Sequence, residues 1–183
     1  MIPIVGIDDG GFDLKDWKYA RIYAVFMRGN SLIENISESR VPLDSSLSTD
    51  ILIELLEYSP QLQNLQYIIH KGATIGGLGV LDMNEIYQKL KIPIVFFQEK
   101  PVDREVLRVT LLEKYPEQVE IYNSLPSQVY IEEMDVYAQF VGTKKDEVTE
   151  LVRDTKLSSK LPEALRIAHM IGKSYYRSLK TSP

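Results

Sequence analysis

The order of apolar segments predicts an α/β fold, a mixed β-sheet with helices packed on both faces. The chain opens with a nearly continuous apolar run, Ile2 to Ile7, which is typical of a strand buried on both faces. Two further apolar segments flank the turn sequence Arg28-Gly29-Asn30-Ser31, as in a β-hairpin. After them, strand-like and helix-like segments alternate, which is the pattern of parallel strands joined by helices.

Five main strands are predicted, with the first strand central in the sheet. Their ranges are Ile2 to Ile7, Arg21 to Met27, Leu32 to Val41, Leu65 to His70 and Ile92 to Phe97. A further strand-like stretch is clearest from Val136 to Val141. The sheet is therefore expected to hold five strands or slightly more.

Five helices are predicted from apolar spacing and from residues that favour helix ends. Ser48 or Thr49 is expected to cap the first helix, Thr143 the fourth, and Pro162 stands where a helix can begin without losing a hydrogen bond. Their ranges are Ser48 to Ser59, Asp82 to Leu90, Asp103 to Lys114, Thr143 to Lys156 and Pro162 to Leu179. The stretch from 116 to 135 gives no clear signal before its strand-like end.

Length and composition fit one domain over residues 1–183. The absence of cysteine excludes disulfides and thiolate metal sites, and it fits a reducing compartment, so a cytoplasmic location is expected. No apolar run approaches the roughly 20 residues of a transmembrane helix, so no membrane partner is expected. The net charge of −5 argues against a protein that coats nucleic acid, but it allows an enzyme with a local basic groove.

The first candidate site is Asp8-Asp9, at the carboxyl end of the first strand. Side chains there reach the crevice where open α/β sheets place their ligands, and carboxylates suit magnesium or manganese. Because successive strand residues point to opposite faces, only one of the two can point at a given site. The alternative is a polar turn in which an aspartate accepts from backbone N–H groups.

Two further candidates involve glycines and a histidine. The loop from Gly72 through Gly76 and Gly77 lets the backbone approach a phosphate closely, although it is equally typical of a tight connection between strand and helix. Arg166 and His169 lie three apart on a predicted helix and share a face, which suits a phosphate with a metal or a proton transfer. A cationic surface stripe is the alternative.

At these residues the chain resembles domain-of-unknown-function family 99, an archaeal group related to endonuclease V. The resemblance runs over essentially the whole chain and is carried by Gly6 to Gly10, Gly72 to Asp82 and Leu161-Pro162-Glu163-Ala164-Leu165-Arg166-Ile167-Ala168-His169. Endonuclease V carries a similar Leu-Pro-Glu-x-x-Arg-x-Ala-His/Asp segment whose last residue lies at the metal site.

This resemblance implies an RNase H-like fold and magnesium-assisted cleavage of a phosphodiester by water. Asp8 or Asp9 matches the first-strand aspartate, so Asp8 and His169 are the implied metal ligands, with Asp9 beside them at the catalytic centre. Lys71, Arg166 and the glycines 72, 76 and 77 are the implied substrate-binding residues. Nucleic acid or a phosphate-bearing ligand is the implied partner.

The chain departs from endonuclease V at Lys71, where that enzyme carries an aspartate. A lysine ammonium about 4 Å from a divalent ion is repelled by several kcal/mol, even at an effective dielectric of about 20. If Lys71 faces the site, we expect it to pair with Asp8 or Asp9. No secure match to the enzyme's metal-site glutamate or to its aromatic wedge is found.

Three functions follow and remain open at this stage. The first is an endonuclease V-like phosphodiester hydrolase that uses magnesium and acts on nucleic acid. The second is a catalytically silent relative that binds nucleic acid or nucleotides, or serves as a scaffold, with a degenerate metal site. The third is phosphate-ester chemistry on a small molecule.

Overall fold

The computed structural model describes residues 1–13, 15 and 17–181, which form a twisted seven-stranded sheet covered by helices. The strand order is β3-β2-β1-β4-β7-β9-β8, and a two-stranded hairpin, β5-β6, lies apart from it. The strands are β1 (Pro3–Asp8), β2 (Tyr19–Arg28), β3 (Leu32–Pro42), β4 (Tyr67–Lys71), β5 (Thr74–Ile75), β6 (Gly79–Val80), β7 (Ile94–Gln98), β8 (Val129–Ile131) and β9 (Val136–Val141).

The predicted mixed sheet is confirmed, with two more strands than the five main ones. β1 pairs antiparallel with β2 and parallel with β4, so it lies in the interior of the sheet as predicted. β4 and β7 are also parallel, whereas β9 runs antiparallel to β7 and β8 antiparallel to β9. All six residues of β1 are buried, which explains its unbroken apolar sequence.

The helices cover the sheet on both faces. They are α1 (Ser48–Glu57), α2 (Met83–Leu90), α3 (Arg104–Lys114), α4 (Val119–Ser124), α5 (Lys145–Thr155) and α6 (Glu163–Thr181). One core cluster lies between the sheet and α1 to α4, and the other lies between the sheet and α5 and α6. Val5 and Ile7 belong to the first cluster and Ile4 to the second, so alternate β1 residues face opposite layers.

Two predicted helix caps are wrong. Ser48 and Thr49 lie inside α1, where Ser48 Oγ donates to Ser45 O at 2.8 Å and Thr49 Oγ1 accepts from Asp82 N at 2.9 Å. Thr143 precedes the start of α5 and donates through Oγ1 to Glu147 Oε2 at 2.7 Å. Ser48 thus bonds to the turn just before α1 and Thr143 to a side chain in the first turn of α5, whereas Thr49 bonds to a distant backbone N–H just before α2.

The stretch without a clear sequence signal contains several short elements. A 3₁₀ turn at Pro116–Gln118 leads into α4, and a second at Glu132–Met134 follows β8. Elements this short carry too few residues to show a helical or strand period. Among the described helices, none is long and apolar enough to cross a membrane.

Candidate active site

The carboxyl end of β1 and the first half of α6 meet at one hydrogen bond. His169 Nδ1 donates to Asp8 Oδ2 at 2.6 Å, although the two residues are 161 positions apart in the chain. Asp8 is 6% exposed, whereas the His169 side chain is 41% exposed. The family resemblance implies that Asp8 and His169 share one site, and the structure brings these two side chains into contact.

Glycines at the contact between β1 and α6 bring these two side chains together. A Cβ on Gly6 would lie 2.5 Å from the carbonyl carbon of Ala164, and one on Gly172 would lie 2.6 Å from Gly10 Cα. Gly10 also has φ +68°, a backbone conformation that L side chains rarely adopt. Any larger residue would push the helix away from the strand, so the sequence favours close backbone contact here.

The hydrogen bond to Asp8 also determines which nitrogen of His169 is available for chemistry. A neutral imidazole that donates through Nδ1 carries its lone pair on Nε2. The buried carboxylate orients the ring and stabilises the imidazolium that forms when Nε2 takes a proton. This pair can therefore act as an oriented base at the protein surface.

Asp9 turns away from this pair. Its Oδ2 accepts from Gly76 N at 2.8 Å, in the turn between β5 and β6. Burial raises the pKa of Asp9, and the negative charge of Asp8 raises it further. Asp9 therefore ties the glycine loop to the end of β1, and its role in a catalytic centre stays a prediction.

The predicted glycine loop forms a tight hairpin connection. Gly76 and Gly77 have φ of +60° and +92°, and Gly76 uses its N–H on Asp9. Gly72, with φ +83°, follows β4 and lines a cavity of ≈ 160 Å³ with Gln98 and Gln128. The three glycines serve turns in this structure, and their binding of a phosphate stays a prediction.

Lys71 has a different partner from the one expected. Its Nζ lies 3.7 Å from Glu99 Oε1, and the side chain is 44% exposed. Lys71 nevertheless stands beside Asp8 in the sheet. Ile7 of β1 is paired with His70 of β4, and the next pair in this parallel register is Asp8 with Lys71. The expected pairing with Asp8 or Asp9 is replaced by an exposed ion pair with Glu99.

His70, next to Lys71, is buried on the opposite face of the sheet. Its Nδ1 donates to Gly72 O at 2.8 Å and its ring stacks edge-on against Phe96. Its Nε2 is buried and has no hydrogen-bond partner among the described protein atoms. His70 is therefore a structural residue beneath the loop.

Arg166 is held by a carboxylate that the sequence analysis did not single out. Its Nε donates to Glu163 Oε2 at 2.9 Å, and Nη2 donates to the other carboxylate oxygen. Glu163 is 3% exposed, and Arg166 also contacts Met170. A glutamate three residues before an arginine on a helix is the signal that predicts this pair, and it leaves Arg166 less available to a substrate phosphate than expected.

The side chains at the site could hold a magnesium ion with few protein ligands, if water and substrate supplied the rest. In the described ranges, no three histidine, cysteine, aspartate or glutamate side chains gather as a metal cluster. Asp8 Oδ1 has no hydrogen-bond partner among the described residues, so this carboxylate has an oxygen to offer. Magnesium is commonly held by one or two carboxylates, with water and substrate phosphates completing its shell, and Asp8 meets that minimum.

Comparison with known proteins gives a family match and several archaeal relatives. The model of a family described as Endonuclease dU matches residues 1–176. A UPF0215 protein of Methanocaldococcus jannaschii is 29% identical over 177 residues, which is 95% of this chain and 94% of that protein. A UPF0215 protein of Thermococcus sibiricus is 29% identical over 178 residues, covering 93% of this chain and 90% of its own length.

Solved structures show the same fold. A protein of unknown function from Archaeoglobus fulgidus superposes with a TM-score of 0.88 at 24% identity, over 96% of this chain and 98% of its own. Human endonuclease V gives a TM-score of 0.63 at 13% identity, over 98% and 86%. Endonuclease V of Ciona intestinalis, solved with DNA containing an inosine, gives 0.61 at 10% identity, over 97% and 86%. The predicted RNase H-like fold and the predicted relation of this chain to endonuclease V are confirmed.

Proposed function

The chain belongs to the Endonuclease dU family, and from that premise we propose that it is a phosphodiester hydrolase that cleaves DNA at or near deoxyuridine. The family description supplies the substrate, and the endonuclease V-like fold supplies the reaction class. The observation that carries the proposal is the Asp8–His169 pair at the carboxyl end of β1. Ligands bind at this end of the strands in open α/β sheets.

His169 is the base in this proposal. Its exposed Nε2 takes a proton from a water molecule, whose oxygen attacks the phosphorus and displaces a sugar oxygen. Asp8 holds Nδ1–H throughout, so the ring keeps its orientation and the developing imidazolium is stabilised. When bound, magnesium polarises the phosphate and neutralises charge on the leaving oxygen, and Asp8 Oδ1 with phosphate oxygens and water would hold it.

A binding protein without catalysis is the second candidate. It is favoured by the sparse donor set, since no third metal-binding side chain joins Asp8 and His169 in the described residues. It is also favoured by Lys71, which stands beside Asp8 in the sheet register at the position where endonuclease V has an acid. Such a protein would bind DNA through the same face and leave it intact.

An endonuclease assay separates the two functions. A 5′-labelled duplex with one deoxyuridine is incubated with the natural chain and magnesium, and a duplex with thymidine at that position is the control. The hydrolase proposal expects a single shorter product from the deoxyuridine strand and none in excess chelator. Binding of both duplexes in a mobility-shift assay, without any product, would establish the binding protein instead.

A further inference from the structure

An aromatic and basic groove lies beside the Asp8–His169 pair, and the mechanism above does not use it. The groove has a volume of ≈ 260 Å³. Its walls come from the segment before β2, from β2 and β3, and from the second half of α6. The lining side chains used below are Trp17, Lys18, Tyr19, Arg21, Arg40 and Tyr175, and we refer to them as the stacking groove.

The stacking groove is cationic in a chain whose net charge is −5. Lys18 and Arg40 are exposed, and no acidic partner of either is found within the described part of the chain. Arg21 donates to Glu38 at 2.8 Å and lies over the Tyr175 ring at 4.3 Å from its centroid. Of these described residues, one acid, Glu38, stands among three cations, which concentrates positive charge locally.

Aromatic rings in and beside the groove are held at fixed angles, and one of them is open to solvent. Trp17 meets Tyr176 edge-on, with ring centroids 5.5 Å apart and an interplanar angle of 67°. Tyr19 is 53% exposed. Aromatic side chains that stand among cations are the platforms on which unpaired bases stack.

The groove continues the line of the proposed active site. Asp8 pairs with Tyr23 across β1 and β2, and Arg21 and Tyr19 follow on the same face of β2. At about 3.4 Å per residue they lie roughly 7 and 14 Å beyond Tyr23. On α6, Tyr175 lies about 9 Å along the axis from His169. These spacings correspond to a few nucleotides of a strand that starts at the Asp8–His169 pair.

From this placement we propose that the stacking groove binds a single-stranded segment of the nucleic acid next to the cleaved phosphate. Lys18 and Arg40 contact backbone phosphates, and Trp17 and Tyr19 stack on bases that have left the duplex. This proposal rests on the proposed function, because cleavage at Asp8 and His169 determines which part of the strand lies next to the groove. It adds that the protein acts on a locally opened strand, and that the stacking groove holds that strand open.

Binding without cleavage tests the groove separately from catalysis. Anisotropy of a fluorescein-labelled 12-nucleotide oligothymidine is measured in chelator, across a series of salt concentrations. Each phosphate contact in single strands contributes a slope of about 0.7 in log K against log salt. We expect Arg40→Gln and Lys18→Gln each to lower the slope by about 0.7, and Trp17→Ala to weaken binding by about tenfold at every salt concentration.

Lys114→Gln is the matched control, because Lys114 is an exposed cation on α3, which packs on the other face of the sheet. Circular dichroism confirms that each variant is folded, and Trp17→Phe, which keeps a ring, should retain most of the binding.

Unchanged affinity and slope in Arg40→Gln and Trp17→Ala, or no binding by the natural chain, would overturn the proposal. Equal binding of labelled polyglutamate would also overturn it, because the groove would then recognise charge alone. Loss of binding in the variants, in a chain that cleaves nothing, would uphold the groove and reject the hydrolase.

Discussion

Gly172→Ala tests whether the close contact between α6 and β1 sets the geometry of the candidate active site. The added Cβ would stand 2.6 Å from Gly10 Cα and 3.0 Å from Asp9 O. An ordinary contact begins at 3.4 Å, so the helix has to withdraw by about 0.8 Å. If that shift reaches His169, its 2.6 Å hydrogen bond to Asp8 lengthens to about 3.4 Å, beyond normal N–H···O distances.

The expected rise in the activation free energy of cleavage is about 2.7 kcal/mol for a 10²-fold slower rate, which exceeds the expected loss of folding free energy. Overpacking costs about 1–3 kcal/mol, and replacing a helical glycine returns up to about 1 kcal/mol. The net cost is therefore about 0–2 kcal/mol, a few degrees in the melting temperature of a chain this size. A misplacement of about 1 Å can lower a catalytic rate by about 10²-fold.

Single-turnover cleavage and thermal unfolding measured on the same preparation separate the two effects. Ser174→Ala is the control, since it adds helix propensity at an exposed position of α6. A folded Gly172→Ala protein that cleaves at the natural rate would show that this contact does not position His169.

Three further changes probe the charges around the site. Because burial raises the pKa of Asp9 above 3.8, the ionisation of Asp9 opposes folding as the pH rises past that value. Asp9→Asn should therefore raise the melting temperature at pH 7, by an amount that shrinks as the pH falls toward 3.8. A rise in melting temperature that did not depend on pH would be inconsistent with this cause. Arg166→Gln should lower the free energy of unfolding by about 1–3 kcal/mol in denaturant titration, because it leaves the buried Glu163 unpaired at a partly solvated site. Adding Glu163→Gln should recover much of this free energy. If the double variant stays as unstable as Arg166→Gln, lost packing alone explains the effect. Lys71→Asp should bind magnesium more tightly than the natural chain in titration calorimetry, since an acid would replace a cation beside Asp8, whereas equally weak binding by both proteins would show that Lys71 does not limit the site.

Apolar patterning predicted the parts of this fold whose burial is continuous. β1 is buried throughout, so its unbroken apolar sequence predicted it. β2 and β3 flank a turn sequence, so the hairpin was also predicted. β8 has only three residues, and the first of these is half-buried and the second exposed, so no regular alternation marks it. Ser48 and Thr143 resemble helix caps, but each lies one residue away from the actual N-cap position, and their hydroxyls donate to the nearby oxygens Ser45 O and Glu147 Oε2.

In the candidate site too, some residues could be predicted from the sequence, whereas their contacts depend on the fold. Asp8 and His169 were separate candidates in the sequence, and a family resemblance assigned both to one site. The packing of Gly10 on Gly172 explains why they meet. The partners of Lys71 and Arg166 were missed for different reasons. Glu99 belongs to a loop whose position depends on the whole sheet, whereas Glu163 stood three residues from Arg166 and could have been recognised from spacing alone. The stacking groove joins residues about 150 positions apart, such as Trp17 and Tyr175, so no local pattern predicts it.

In the proposed function, the Asp8–His169 pair performs the cleavage. The most direct test compares single-turnover cleavage of the deoxyuridine duplex by the natural chain, Asp8→Asn and Asp154→Asn, with magnesium. Asp154 is an exposed acid on α5 and controls for the loss of one charge. We predict a loss of at least about 10²-fold in Asp8→Asn and the natural rate in Asp154→Asn. A folded Asp8→Asn protein that cleaves as fast as the natural chain would contradict the claim.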